Sequence, residues 1–208
     1  MGASKRIAEQ YVQSFTPDIG SETHFFTKFI TTRFGNVLDS SGSVIPLFTQ
    51  QIQAGGPVTV THHDVTRYFM TVAEACQLVL EAGAMGKGGE TFIFDMGQPY
   101  RIVDLAEKMI RLAGLVPYKD IVLQFVGMRP GEKLHEELYH KSSKTLPTQH
   151  PKIMLCEAVI VGAESMNTSI ENLISISERG SIFDLVRAMK VLVPEFKSMN
   201  STFEKLDD

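Results

Sequence analysis

No apolar run in this chain approaches the roughly 18 residues that cross a bilayer, and no signal peptide opens it. A soluble, cytoplasmic chain is the expectation. Cysteine is scarce: Cys76 and Cys156 are the only two, they lie far apart in apolar surroundings, and they form neither a CxxC pair nor a Cys/His cluster. That argues against a disulfide framework or a zinc site and for reduced, buried thiols. Basic tracts are lacking as well. Lys and Arg together number 20 against 24 Asp and Glu, a formal charge of −4, so the chain offers no surface for neutralising the phosphates of duplex nucleic acid. There are no repeats and no low-complexity segments. With 43% hydrophobic and 21% charged residues, the chain suffices for one core, or one core with an appendage.

What is present alternates between strand and helix signals, which makes the class α/β. Residues 1–15 place Ile7, Ala8, Tyr11, Val12 and Phe15 on one helical face. A β-branched and aromatic strand candidate covers residues 25–34, and helix signals from Val44 to Gln53 stop at Gly55 and Gly56. Residues 57–61 and 91–94 read as strands. Between them, Thr71 and Glu74 form a capping box, and Val72, Ala75, Cys76, Val79 and Leu80 form the expected buried stripe. Ile102, Leu105, Ala106, Met109, Ile110 and Ala113 stripe another helix, and residues 121–126 are strand-like. Residues 146–154 read as an ordered connector to two helices at about 169–177 and 182–193, whose packing residues are Ile170, Leu173, Ile174 and Leu185, Met189, Leu192.

Two stretches carry chemistry. In residues 32–70, TRFGNVLDSSGSVIPLFTQQIQAGGPVTVTHHDVTRYFM, a strand gives way to a polar, glycine- and serine-containing loop and then a helix. Loops beyond the carboxyl ends of strands in open α/β sheets are where ligands sit, and a helix amino terminus there favours an anion. In residues 127–137, GMRPGEKLHEE, Pro130 is placed at a helix start, and Arg129 is presented from a constrained turn beside that amino terminus. His62, His63 and Asp64 lack a third ligand spacing, so no metal site is expected. The glycine cluster at residues 83–89 follows a helix and precedes a strand, the wrong order for a dinucleotide cradle, and reads as a surface turn.

These motifs, with the GASKR run at residues 2–6, resemble the nucleotide-sugar dehydratases and epimerases of bacterial polysaccharide biosynthesis. They are the CapD-like branch of the extended short-chain dehydrogenase/reductase superfamily. The likeness covers nearly the whole chain. It implies the carboxyl-terminal half of a Rossmann-like fold: residues 1–140 hold a partial core with the nucleotide-sugar-binding region, and residues 141–208 a connector with a small helical extension. The amino-terminal NAD-binding half is expected to be missing.

The resemblance also assigns roles. Lys5 falls at the Lys of the superfamily's Tyr-x-x-x-Lys pair, where it contributes to catalysis and contacts the nicotinamide ribose. Met1 stands at the Tyr slot, and a thioether has no proton to give. Asn36, Arg67, Arg129 and Glu132 fall at substrate-binding positions, the two arginines on a diphosphate and Glu132 on the ribose hydroxyls. Asp39 departs from the glycine usual in the family. From the residues alone, Lys5 also reads as a solvated helix lysine, Arg67 as a surface ion pair, and Glu132 as a first-turn helix acid. The implied reaction is NAD- or NADP-dependent 4,6-dehydration of a UDP-N-acetylhexosamine, a lyase activity, or a related epimerisation. The rival expectation is a non-catalytic, truncated piece that binds nucleotide-sugar or self-associates. The partners implied are a UDP-sugar and a second copy of the chain, and a parent enzyme anchored to a membrane.

Overall fold

A computed structural model describes residues 2–15, 27–40, 42–137, 144–156 and 162–207. In chain order the elements are α1 (Gly2–Ser14), β1 (Thr31–Arg33), β2 (Asn36–Val37), α2 (Val44–Gln53), β3 (Val58–Val60), β4 (Thr66–Arg67), β5 (Phe69–Met70) and α3 (Val72–Met85). There follow β6 (Thr91–Phe94), β7 (Tyr100–Arg101), α4 (Ile102–Leu112), β8 (Leu123–Phe125), β9 (Thr145–Pro147), β10 (Ile153–Cys156), α5 (Ala163–Arg179), α6 (Ile182–Leu192) and a closing 3₁₀ turn, Thr202–Leu206. The mixed α/β class read from the sequence is the class observed. No helix among the described residues is long and apolar enough to cross a membrane.

The chain resolves into two compact units that interleave in sequence. One comprises Met1–Arg33, Val79–Phe94 and Lys141–Asp208; the other comprises Phe34–Leu78 and Asp95–His140. The first unit is built on a mixed four-stranded sheet of order β1-β6-β10-β9, with β1 and β6 parallel and β10 antiparallel to both its neighbours. Strand β6 is buried along its whole length, as its unbroken TFIF run requires. The expected connector at residues 146–154 is instead the antiparallel β9–β10 hairpin. It was masked by Pro147, which the sheet tolerates because β9 lies at its edge.

Helix α1 is oriented by polar groups. Its inward residues are Ala3, Ile7, Gln10, Gln13 and Ser14, whereas Ala8 and Phe15 are exposed. Glu9, with a side chain 8% exposed, accepts from Arg33 (2.6 and 3.0 Å), from Arg6 (2.8 Å) and from the Thr91 hydroxyl (3.2 Å). Gln13 donates to the same hydroxyl at 2.6 Å. These bonds rotate the helix away from the orientation that its apolar stripe would favour.

Helix α3 also departs from its expected face. Thr71 caps it, accepting from the Glu74 N–H at 3.1 Å, and Ala75 is buried as expected. Val72, Cys76, Val79 and Leu80 face outward, and the inward positions are Ala75, Leu78 and Ala82. Two apolar arcs lie side by side on this helix, and periodicity alone does not choose between them. Cys76 is thus an exposed thiol, while Cys156 is buried as read.

In the second unit β3 and β8 pair in parallel, from Val58 opposite Leu123 to Val60 opposite Phe125. Helices α2 and α4 cover them, and Phe48, Ile52, Val58, Val60, Ala106 and Ile110 form the centre of the core. Helix α4 follows its predicted stripe at Ile102, Ala106 and Ile110, while Ala113 is exposed. Helix α5 begins earlier than read, at Ala163, and buries Met166 with Ile170 and Leu173 half-covered.

The chain's last described residues are clasped in place. The Asp207 carboxylate accepts from Lys190 and from the Ser198 N–H (3.1 and 3.0 Å), and Lys190 lies 4.2 Å from the Phe196 ring centroid. The Lys190 ammonium, followed by the Ser198 N–H, holds the Asp207 carboxyl below its ordinary value of 3.8.

Three outcomes are expected. Phe48, 1% exposed, leaves a cavity on truncation, so Phe48→Ala lowers stability by about 3–5 kcal/mol in urea denaturation. Leu80→Ala on the open arc of α3 changes it by less than about 0.5 kcal/mol. Because the folded-state value of Asp207 is depressed, its contribution is present above the unfolded value and disappears as pH falls through the folded value. The melting temperature of Asp207→Asn lies below that of wild type at pH 7, and the two converge as acid titrates the carboxylate.

Candidate functional site

Asn36 is positioned by a close backbone approach. Strand β2 pairs in parallel with β5, Asn36 opposite Phe69, and the Asn36 N–H donates to the Tyr68 carbonyl at 2.8 Å. The preceding Gly35 permits this: a Cβ there would stand 2.8 Å from the Tyr68 Cβ and 2.9 Å from its carbonyl oxygen. The half-buried Asn36 amide has no hydrogen bond among the described residues. Two residues after β2 the chain turns at Asp39, whose φ of +61° lies in the left-handed region. This explains why glycine suits that place and why Asp, a residue that tolerates the conformation, stands in for it. Helix α2 begins as read, at Val44, with no side-chain cap bond from Ser43.

Arg67, Arg129 and Glu132 meet in the second unit. Arg67 Nη2 lies 3.2 Å from Glu132 Oε1, and Arg67 Nε lies 3.7 Å from Glu136 Oε1. Arg67 Nη1 donates to the Thr66 carbonyl at 2.7 Å and to the Leu134 carbonyl at 3.4 Å. Thr61 Oγ1 donates to Glu132 Oε1 at 2.9 Å, and the Arg129 N–H donates to Glu132 Oε2 at 3.0 Å. The ion-pair reading of Arg67 therefore holds, although its side chain is only 14% exposed. Arg129 is different. Its guanidinium is exposed and makes no hydrogen bond or ion pair among the described residues.

The expected helix at Pro130 is not there. Residues 129–132 form a β-turn, closed by the Glu132 N–H donating to the Arg129 carbonyl at 3.0 Å, with Gly131 at φ +74°. Pro at the second position and a positive-φ Gly at the third are the signature of a type II turn, which diverts the chain from a helix. Glu132 is thus a turn residue held by donors, not a first-turn helix acid. The sequence reading did not identify Thr61, Glu136 or His135. The Thr66 hydroxyl lies 2.9 Å from His135 Nδ1, a contact between remote segments that left no signal in the sequence.

Lys5 lies in the other unit, exposed on the first turn of α1, without a partner among the described residues. Met1 is outside the described residues. A nicotinamide cofactor implied by the motifs finds one compatible contact in Lys5. The glycine turn before β6 is no cradle for it: the N–H groups of Lys87 and Gly88 are taken by the Glu90 carboxylate at 2.8 and 2.7 Å. His63 stacks on Phe125, with ring centroids 3.6 Å apart, and no group of three or more metal-ligating side chains occurs among the described residues.

The profile of the family described as polysaccharide biosynthesis protein matches residues 1–158. The chain belongs to this CapD-like family. It is 58% identical over 142 residues to the capsular polysaccharide biosynthesis protein CapD of Staphylococcus aureus, covering 68% of this chain and 23% of that protein. It is 49% identical over 159 residues to the probable polysaccharide biosynthesis protein EpsC of Bacillus subtilis, covering 76% of this chain and 25% of that one. The X-ray structure of Pen from Bacillus thuringiensis is similar at 32% identity with a TM-score of 0.64, covering 82% of this chain and 56% of that one. The chain thus spans about a quarter of the length of these curated relatives.

The loop geometry of this CapD-like chain is testable at Asp39. Relieving a left-handed non-glycine residue gains about 1–2 kcal/mol, against a glycine entropy cost of about 0.5–1 kcal/mol. Asp39→Gly is expected to be neutral or to stabilise by up to about 1 kcal/mol, and the β-branched Asp39→Val to destabilise, as read from urea midpoints.

Proposed function

We propose that this chain is the nucleotide-sugar-binding portion of an NAD-dependent enzyme that 4,6-dehydrates a UDP-N-acetylhexosamine, UDP-N-acetylglucosamine in particular, for bacterial surface polysaccharide. In this reading the fold is the carboxyl-terminal half of an extended short-chain dehydrogenase/reductase. The observation that carries it is an Arg129 guanidinium without a partner among the described residues, on the turn where the Arg129 backbone N–H holds the Glu132 carboxylate. An exposed, charged fork suits diphosphate oxygens, and a carboxylate suits ribose hydroxyls. Asn36, with an uncommitted amide, supplies donors and an acceptor for the ligand's polar groups. Arg67 belongs to the same group through its bond to Glu132.

Lys5 would contact the nicotinamide ribose once NAD is bound, and NAD would supply the hydride chemistry. Membership of a polysaccharide biosynthesis family, with CapD and EpsC as relatives, supports the pathway assignment. The residues named here address the nucleotide, so they suit a 4-epimerase of the same substrates equally well; the products would distinguish the two.

Calorimetric titration with UDP-N-acetylglucosamine tests the proposal. Wild type is expected to bind. Arg129→Ala, losing charge-assisted hydrogen bonds worth about 1.5–3 kcal/mol, is expected to bind about 10- to 100-fold more weakly. A folded wild-type chain that yields no binding heat would refute the reading for this polypeptide.

A further inference from the structure

We propose that the outer face of helix α4 is a docking surface for a second copy of this chain, the two helices lying antiparallel about a two-fold axis. The surface belongs to one compact unit and does not depend on the nucleotide-sugar reading. Helix α4 carries two apolar arcs. Ile102, Val103, Ala106 and Ile110 face the core, while Leu105, Met109 and Leu112, at i, i+4 and i+7, form a second stripe beside it. Leu105 and Met109 are half-buried, and Leu112 stands 79% exposed. A leucine so open at the end of such a stripe leaves apolar area in water that a partner helix covers.

The charges beside the stripe say which partner fits. Asp104, Lys108 and Arg111 follow one another at i, i+4 and i+7 along its solvent side. Asp104 lies toward the amino end and Arg111 toward the carboxyl end, so the array complements itself when reversed. In an antiparallel pair Leu105 of each copy meets Leu112 of the other, Met109 packs near the axis, and Asp104 of each copy meets Arg111 of the other. The two-fold makes each of these contacts twice. Lys108 falls beside Glu107 of the second copy. These groups are lightly held in the single chain. Asp104 lies 3.8 Å from Arg101, and Arg111 lies 2.8 Å from Glu107, whose other oxygen accepts from the Tyr118 hydroxyl. Exposed pairs of this kind contribute little. Lys108 has no ion pair among the described residues.

Helix α3 supplies the contrast. It too exposes an apolar arc, at Val72, Val79 and Leu80, but its charged residues are Glu74 and Glu81, so a second α3 brings like charges together. Only the outer face of α4 complements itself. A single helix seam is small. It buries less than the roughly 1,200 Å² at which stable interfaces begin, which makes the dimer weak, with a dissociation constant on the order of 100 µM.

Sedimentation equilibrium of the full chain tests this between about 10 µM and 1 mM, a range that brackets that affinity. Wild type is expected to pass from monomer to dimer and no further, since a two-fold contact closes on itself. Leu112→Glu is expected to raise the dissociation constant about 10-fold or more at an unchanged melting temperature, because the side chain it replaces is exposed. Leu80→Glu on α3 leaves association as it is. Asp104→Arg and Arg111→Asp each weaken association alone, since each sets like charges across the axis. An equimolar mixture of the two variants regains it, because the mixed pair has an acid opposite a base at both ends. A wild-type chain that stays monomeric to the top of that range overturns the proposal, and so does association that Leu112→Glu leaves intact. A mixture that associates no better than either variant alone overturns the antiparallel pairing.

Discussion

A carboxylate withdrawn from water must collect donors, and both compact units of this chain are organised around that constraint. In the first unit Glu9 gathers Arg6 from its own helix, Arg33 from β1 and Thr91 from β6. In the second, Glu132 gathers Thr61, Arg67 and the Arg129 amide, from segments before and after α4. Each hub joins segments that are remote in sequence and has near it a basic side chain without a partner among the described residues: Lys5 one helical turn before Glu9, and Arg129 at the start of the turn that Glu132 ends. Hydrophobic burial supplies the gross stability of each unit. The hubs supply orientation, which apolar contact cannot specify as sharply.

This explains which parts of the fold were legible in the sequence. Strand β6, helix α2 and the stripe of α4 follow apolar patterning, and the structure follows it too. Helix α1 defeats the pattern because its inward face contains Gln10, Gln13 and Ser14, and Gln13 bonds Thr91 of a remote segment. Helix α3 defeats it by presenting two apolar arcs. Residues 129–132 are the instructive case: Pro130 fits a helix start and a turn equally well, and Gly131 decides for the turn because its positive φ ends any helix there. The signal was present in the PG pair and lost to a competing local rule.

The wiring of the candidate residues was not legible in the sequence. Asn36, Arg67, Arg129 and Glu132 stand in one unit, but the contacts with Glu132, Leu134 and Glu136 that hold Arg67 are tertiary, and no spacing announces them. The same applies to Asp39. Its departure from the glycine usual in the family has a backbone reason, a left-handed φ of +61° that Asp tolerates.

The wiring has an electrostatic consequence. Two arginines, Arg67 and Arg129, share the cluster with two carboxylates, Glu132 and Glu136, so its formal charges cancel. A cluster of that kind attracts a diphosphate only if one cation is uncommitted, because an arginine already saturated by carboxylate and carbonyl oxygens would have to surrender those bonds to gain new ones. Among the described residues, Arg129 has none to surrender. Pairing Arg67 with Glu132 while the Arg129 N–H bonds the same carboxylate ties the turn to β4, and an ordered turn has less conformational entropy to lose to any contact it makes.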